Sequence, residues 1–263
     1  MADVNVLVLR AAGTNCDREA IYAFELAGAK VRALHINRIL AEPKLLRDFQ
    51  ILALPGGFSY GDDIAAGKIL ANQLLHHLAE QLREFVGASK LVIGICNGFQ
   101  VLVKTGLLPG DLGKNFPALA NGQVVTLTNN DSDKFEDRWV HLAACSKKCV
   151  FLQAPKRIYL PVAHGEGKFV TSSPAVLQAI KEADQVAFRY TNPDGGEPSY
   201  PDNPNGSEDH VAGIIDSTGR ILGLMPHPER HIHRTHHPQW TRLPADREPD
   251  GLAIFANAIG YFR

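Results

Sequence analysis

The 263-residue sequence contains no apolar run long enough to cross a membrane, and Met1-Ala2-Asp3-Val4 lacks the basic flank and long apolar stretch of a secretory leader. A soluble, cytoplasmic protein is expected. A net field is missing too: 27 basic against 28 acidic residues leave no general attraction for nucleic acid or an anionic membrane. Cysteine is scarce. Four residues (Cys16, Cys96, Cys145, Cys149) are too few and too unevenly placed for a disulfide framework, so reduced thiols are expected. Cys145 and Cys149 stand four apart without a second Cys/His pair at a suitable spacing, which argues against structural zinc. No linker or low-complexity segment divides the chain, so residues 1–263 read as a single domain. The Gly-x-x-x-x-Gly-Lys-Ser/Thr phosphate loop is also absent.

What is present centres on Gly94-Ile95-Cys96-Asn97-Gly98-Phe99-Gln100. An apolar run, Leu91 to Ile95, stops at a cysteine and gives way to a helical stretch, Phe99 to Thr105. Small residues two before and two after Cys96 allow a tight strand-to-helix turn of the nucleophile-elbow type, with sulfur as the raised atom. A thiol at a helix N-terminus meets unpaired N–H groups and the positive end of the dipole, which favour its nucleophilic thiolate form. The competing reading is a small buried hydrophobe at a strand end. Cys16, with no glycine two residues after it and a Thr/Asn/Asp cluster around it, reads as a helix-start residue instead.

The surrounding pattern is α/β. Val4 to Leu9, Lys30 to His35, Ile51 to Leu54 and Leu91 to Ile95 are strand candidates, with helices over Asp17 to Ala27 and Ala65 to Phe85. That rhythm predicts an open, mostly parallel, doubly wound (flavodoxin-like) sheet. Beyond Gly106, shorter runs at Val124 to Leu127, Val140 to Ala143 and Ile158 to Val162 predict an antiparallel extension. Tyr190 to Gly206, rich in Pro, Asn, Asp and Gly, is expected as a surface loop. Val211 to Ile215 and Ile221 to Leu224 then form a hairpin leading to Met225-Pro226-His227, and Gly251 to Phe262 a terminal helix.

A cysteine nucleophile needs a base, and the base needs a group to orient it. Pro226-His227-Pro228-Glu229 offers both: the prolines hold the backbone extended, where residues two apart project to one side. An ordinary turn is the alternative reading. For the oxyanion, the Asn97 N–H follows the nucleophile, and Pro55-Gly56-Gly57 can bring a second amide close to a ligand. His231, His233, His236 and His237, interspersed with Arg230 and Arg234, read as a solvated basic segment, and no metal is expected there or elsewhere.

These motifs, together with Pro55-Gly-Gly-Phe-Ser-Tyr-Gly-Asp62 and His164-Gly-Glu-Gly167, resemble the class I, triad-type glutamine amidotransferases over the whole chain. Within that family they are most similar to the glutaminase subunits of formylglycinamidine ribonucleotide synthesis. The resemblance implies Cys96 as nucleophile, His227 as base and later acid, and Glu229 as its orienting partner. It further implies an oxyanion hole from Gly57 and Asn97 N–H, contact of Gln100 with substrate L-glutamine, and a His164-Gly165 backbone that holds its α-carboxylate. No cofactor is implied in this chain; ATP and Mg would be used by a large synthetase subunit, with a small third subunit completing the complex. The Asn129 to Trp139 segment resembles the family's Asn-x-Ser-x-x-Phe-Glu-x-Arg-Trp stretch, but its opening does not align uniquely. Another synthetase's glutaminase, or a silent binding domain on the same fold, are the alternatives that the subfamily motifs and the intact triad oppose.

Overall fold

The computed structural model describes residues 3–112, 123–152 and 157–263; Met1 and Ala2 of the N-terminal reading lie outside them. Strands β1 (Asn5–Arg10), β2 (Lys30–His35), β3 (Ile51–Leu54) and β4 (Leu91–Ile95) alternate with helices α1 (Asp17–Leu26), α2 (Ile36–Ala41) and α3 (Lys68–Gly87). Helix α4 (Asn97–Lys104) follows β4 directly. Next come β5 (Val125–Thr128), β6 (Glu136–Ala144), β7 (Arg157–His164), β8 (Lys168–Thr171), α5 (Pro174–Glu182) and β9 (Val186–Thr191). The hairpin β10 (Val211–Ile215) and β11 (Ile221–Leu224) and the terminal α6 (Leu252–Gly260) complete the fold.

Among the described residues the main sheet has nine strands, ordered β2-β1-β3-β4-β11-β10-β9-β6-β7. From β2 to β11 all pairings are parallel; from β11 to β7 all are antiparallel. This is the doubly wound sheet with an antiparallel extension that the sequence pattern predicts. The central strands β3, β4 and β11 are buried at every position, as their unbroken apolar runs require when helices cover both faces. Leu70, Leu74, Leu78 and Leu82 of α3 pack into the same core. Among the described residues, no helix is long and apolar enough to span a membrane.

Several expectations are corrected. The Val124 to Leu127 run becomes β5, which leaves the main sheet to pair with β8. Tyr190 to Gly206 is not simply a surface loop: Tyr190 and Thr191 end β9, and Asn203 and Asn205 are buried. Polar side chains replace the missing ladder there. Asn205 Nδ2 donates to the Gly167 carbonyl (2.9 Å) and to Tyr190 Oη (3.1 Å), bracing the His164–Gly167 turn. The His-rich segment is not uniformly solvated either. His231 and His237 are buried against Trp139, and His237 also packs on Tyr159, because neutral imidazoles serve as aromatic packing; burial pushes both below the usual histidine range.

Candidate active site

The C-terminal ends of β1, β3, β4 and β11 meet on one edge of the sheet, where ligands bind in open α/β folds. Cys96 sits at the tip of β4 with φ 52° and ψ −108°, so the left-handed strain of the elbow falls on the cysteine itself. The flanking glycine serves close approach: a Cβ on Gly98 would stand 1.9 Å from the Leu54 carbonyl oxygen. The Cys96 N–H donates to the Leu224 carbonyl (2.8 Å), which ties the elbow to the end of β11.

Three residues beyond Leu224, His227 N–H donates to the Pro161 carbonyl at 2.8 Å. Its ring Nδ1–H donates to Glu229 Oε1 at 2.6 Å, and both side chains are buried. Burial alone would push the imidazolium down, but the Glu229 carboxylate, with Cys96 beside it, outweighs burial and holds His227 well above the ordinary histidine range. The carboxylate also fixes Nδ1 as a donor, and Nε2 has no hydrogen-bond partner among the described residues. Gly56 floors this junction: a Cβ there would lie 2.9 Å from His227 Cε1, 3.1 Å from Cys16 Sγ and 3.4 Å from Cys96 Cβ. Both thiols face His227, although neither closes a hydrogen bond on Nε2, and Cys96 Sγ lies 3.7 Å from the Ala163 carbonyl.

The site opens on one cavity of about 500 Å³, suited to a small polar molecule. Cys96, His227, Gly57, Gln100, His164 and Gly165 all reach it. Asn97 opens α4, where the first N–H groups have no partner within the helix. Around Gly57 the bridge to Thr14 runs through the N–H groups of Asn15 and Phe58, so the Gly57 N–H takes no part in it. The Asn97 side chain accepts from Ser59 N–H (3.2 Å) and donates to Asp62 Oδ1 (3.0 Å) and Gln100 Oε1 (2.9 Å), lacing the glycine loop to the elbow. Gln100 Nε2 donates to the Glu166 carbonyl at 2.6 Å, so its amide is engaged with the protein at the cavity wall.

Three participants escaped the sequence reading. Cys16 does precede α1, but its thiol caps nothing there; Sγ accepts from Arg230 Nη2 (3.2 Å) and lies in the cavity. Arg230, held also by Glu19 (3.2 Å), puts a cation at the cavity wall. Asn130 settles the register of its segment: it is the buried asparagine, followed by the Ser132–Glu136 hydrogen bond (2.6 Å) and the Glu136–Arg138 ion pair. A usable signal existed for Cys16, since a loop that follows a parallel strand belongs to the ligand edge. Among the described residues, the one His/Cys/acid group close enough to share a metal is Cys16, His227 and Glu229, all buried. Its histidine and carboxylate are already joined to each other.

A cysteine elbow beside a buried histidine–carboxylate pair, on the ligand edge of a mostly parallel sheet, defines a triad-type glutamine amidotransferase. Residues 3–262 match the CobB/CobQ-like glutamine amidotransferase domain. The phosphoribosylformylglycinamidine synthase subunit PurQ of Dehalococcoides mccartyi is 49% identical, covering 100% of this chain and 99% of its own. That of Archaeoglobus fulgidus is 41% identical over 87% of this chain and 88% of its own. Among solved structures, PurLQS from Thermotoga maritima aligns over 100% of both chains with a TM-score of 0.74 and 28% identity. A Thermotoga maritima glutamine amidotransferase shares the fold at a TM-score of 0.54 and 16% identity, covering 100% of this chain and 98% of its own. The chain belongs to the CobB/CobQ-like glutamine amidotransferase family and, within it, to the PurQ subunits of phosphoribosylformylglycinamidine synthase.

Proposed function

We propose that this chain is the glutaminase subunit of a phosphoribosylformylglycinamidine synthase, hydrolysing L-glutamine and passing the ammonia to a synthetase partner in the cytoplasm. The observation that carries the reading is the buried His227–Glu229 pair (2.6 Å), whose histidine shares one cavity with a cysteine at a helix N-terminus. The Cys96 thiol gives its proton to His227, and the sulfur attacks the substrate carboxamide carbon. The oxyanion is received by the N–H groups of Gly57 and Asn97. His227 then hands the proton to the departing nitrogen, ammonia leaves, and a water activated by the same ring cleaves the γ-glutamyl thioester to glutamate. Glu229 stabilises the imidazolium in each half-reaction.

Gln100, His164 and Gly165 line the cavity, and there Gln100 and the His164-Gly165 backbone hold the amino-acid end of glutamine. This chain needs no cofactor; ATP and Mg belong to the large formylglycinamidine ribonucleotide synthetase subunit. The full-length match to a chain of PurLQS supports that partner and a small third subunit.

The test is to mix the chain with its cognate synthetase and follow glutamine-dependent formation of formylglycinamidine ribonucleotide. The isolated chain is expected to hydrolyse glutamine poorly, the mixture to make product, and high ammonia to replace the chain altogether. Product formation indifferent to this chain at limiting glutamine contradicts the assignment.

A further inference from the structure

His164 carries a nitrogen that the chemistry above leaves unused. Every polar atom of the Asn130 side chain is committed. Nδ2 donates to the carbonyls of Lys134 (2.8 Å) and His164 (2.8 Å), which fixes the amide orientation. Oδ1 therefore faces two donors, the Gly167 N–H (3.0 Å) and His164 Nδ1 (3.1 Å). Nδ1 must carry the hydrogen, and Nε2 is left as a bare lone pair. The ring cannot swing away, because it lies on Gly167 so closely that a Cβ there would stand 2.4 Å from Cε1 and Nδ1. The residue is 3% exposed, and Nε2 is buried without a hydrogen-bond partner among the described residues. A buried acceptor left unpaired costs stability, so Nε2 calls for a donor that the protein itself does not supply, a water or a ligand.

Position selects the donor. His164 lines the cavity that holds Cys96 and His227, close enough to His227 for that ring's charge to disfavour a proton on its own. The preceding carbonyl, of Ala163, is the group 3.7 Å from Cys96 Sγ. Glutamine offers two kinds of N–H, the α-ammonium and the carboxamide NH2. Acidic groups that suit an ammonium, Asp62, Asp137 and Glu166, line the same cavity. A neutral acceptor on the residue after the Ala163 carbonyl, which meets Cys96 Sγ, suits the uncharged carboxamide.

On the reading that glutamine is the substrate, we infer that His164 Nε2 accepts an N–H of the nitrogen that leaves the carboxamide, making His164 a further catalytic residue. In the step concerned the C–N bond of the tetrahedral intermediate breaks, its electron pair stays on nitrogen, and His227 supplies the third hydrogen. The nitrogen departs as NH3 with one N–H directed at His164, which gains no proton itself. Burial, with the charge of His227 added, pushes His164 down to about 3, so the ring accepts a hydrogen bond at neutral pH without protonating. The interaction strengthens as the nitrogen gains its proton, so it favours the transition state over the bound substrate.

The test uses the full chain in complex with its synthetase. His164→Leu removes the acceptor, whereas His164→Gln returns one through its amide oxygen. Expected for His164→Leu is a kcat with glutamine about tenfold lower, the worth of one hydrogen bond in a buried site, with KM changed by less than about twofold. His164→Gln recovers part of kcat, and ammonia-dependent turnover stays at the wild-type rate in both. A raised KM with unchanged kcat would move the contact to substrate binding, and wild-type kcat in both variants would assign Nε2 to an internal water; either overturns the inference. A measurement free of His164 variants is the ¹⁵N resonance of its ring in the inactive Cys96→Ser chain. The Nδ1–H tautomer should persist from about pH 5 to 9, and the Nε2 signal should move when glutamine binds. An Nε2–H tautomer, or an Nε2 signal indifferent to bound glutamine, also overturns it. Failure of wild type to turn over glutamine at all would instead strike the functional reading.

Discussion

Glu229 Oε1 lies 2.6 Å from His227 Nδ1, and neither side chain is more than 2% exposed. A buried carboxylate bonded this closely to an imidazole acts on both chemistry and stability. His227→Ala removes the group that moves the proton and is expected to lower glutamine turnover by about 10⁴-fold or more. Glu229→Gln keeps the shape and loses the charge, so its loss should be about tenfold to a hundredfold smaller, with KM little changed. The linkage has a definite sign. The folded pKa of His227 is raised above its unfolded value, so the pair stabilises the fold below about pH 6.5 and stops doing so as pH rises through the folded pKa. Denaturant titration should show Glu229→Gln destabilising the protein more at pH 6 than at pH 9; a larger cost at pH 9 contradicts the pairing.

Gly56 provides a test that leaves the triad side chains in place. A methyl group there would come 2.9 Å from His227 Cε1 and 3.4 Å from Cys96 Cβ, both in a packed, buried junction. Gly56→Ala is expected to cost about 1–3 kcal/mol of stability and to lower kcat far more than its loss of folded protein accounts for. Circular dichroism and kcat measured on the same folded sample check this, and an unchanged kcat would mean that the junction is looser than described.

The acid limb of the stability curve reports on His164. Its folded pKa is depressed to about 3, so its contribution is intact above the unfolded histidine value and is lost as pH falls from about 6.5 toward 3. Between pH 7 and 4.5, wild type should lose on the order of 2–3 kcal/mol more than His164→Gln, in which that proton uptake is gone. Urea titrations at the two pH values measure the difference; equal losses in the two proteins contradict a buried, neutral ring.

Much of this was legible in the residues because each signal was local. Leu91 to Ile95 is apolar without interruption, and Cys96 falls where it ends. His227 is extended as its prolines predict, but Pro228–Arg230 is a single 3-10 turn, the ordinary-turn reading, and Glu229 meets the ring across that turn. The parallel half of the sheet follows from the same unbroken runs. What escaped was non-local. Nothing near Cys16 in sequence shows that Arg230, on the far side of the chain, donates to its sulfur. Nothing in a Pro/Asn/Gly-rich stretch shows that Asn205 will be fully buried beneath the His164–Gly167 turn. Helix α5 had a usable cue that went unread: Ser173 before Pro174 is a capping serine followed by a first-turn proline, with Val176 and Ile180 as the buried stripe. The positive φ of the elbow falls on Cys96 while Gly98 serves the close approach to Leu54, and no single-residue preference reports either.

The central claim is that Cys96, and not its neighbour Cys16, is the attacking sulfur. A chloroketone analogue of glutamine binds as substrate and alkylates the nucleophile, so peptide mapping after inactivation identifies that residue directly. The account predicts one label per chain on the peptide containing Cys96, loss of glutamine-dependent activity in step with labelling, protection by glutamine, and retention of ammonia-dependent product formation in the complex. Inactivation that tracks a label on Cys16, or full labelling of Cys96 with glutamine turnover intact, would contradict it.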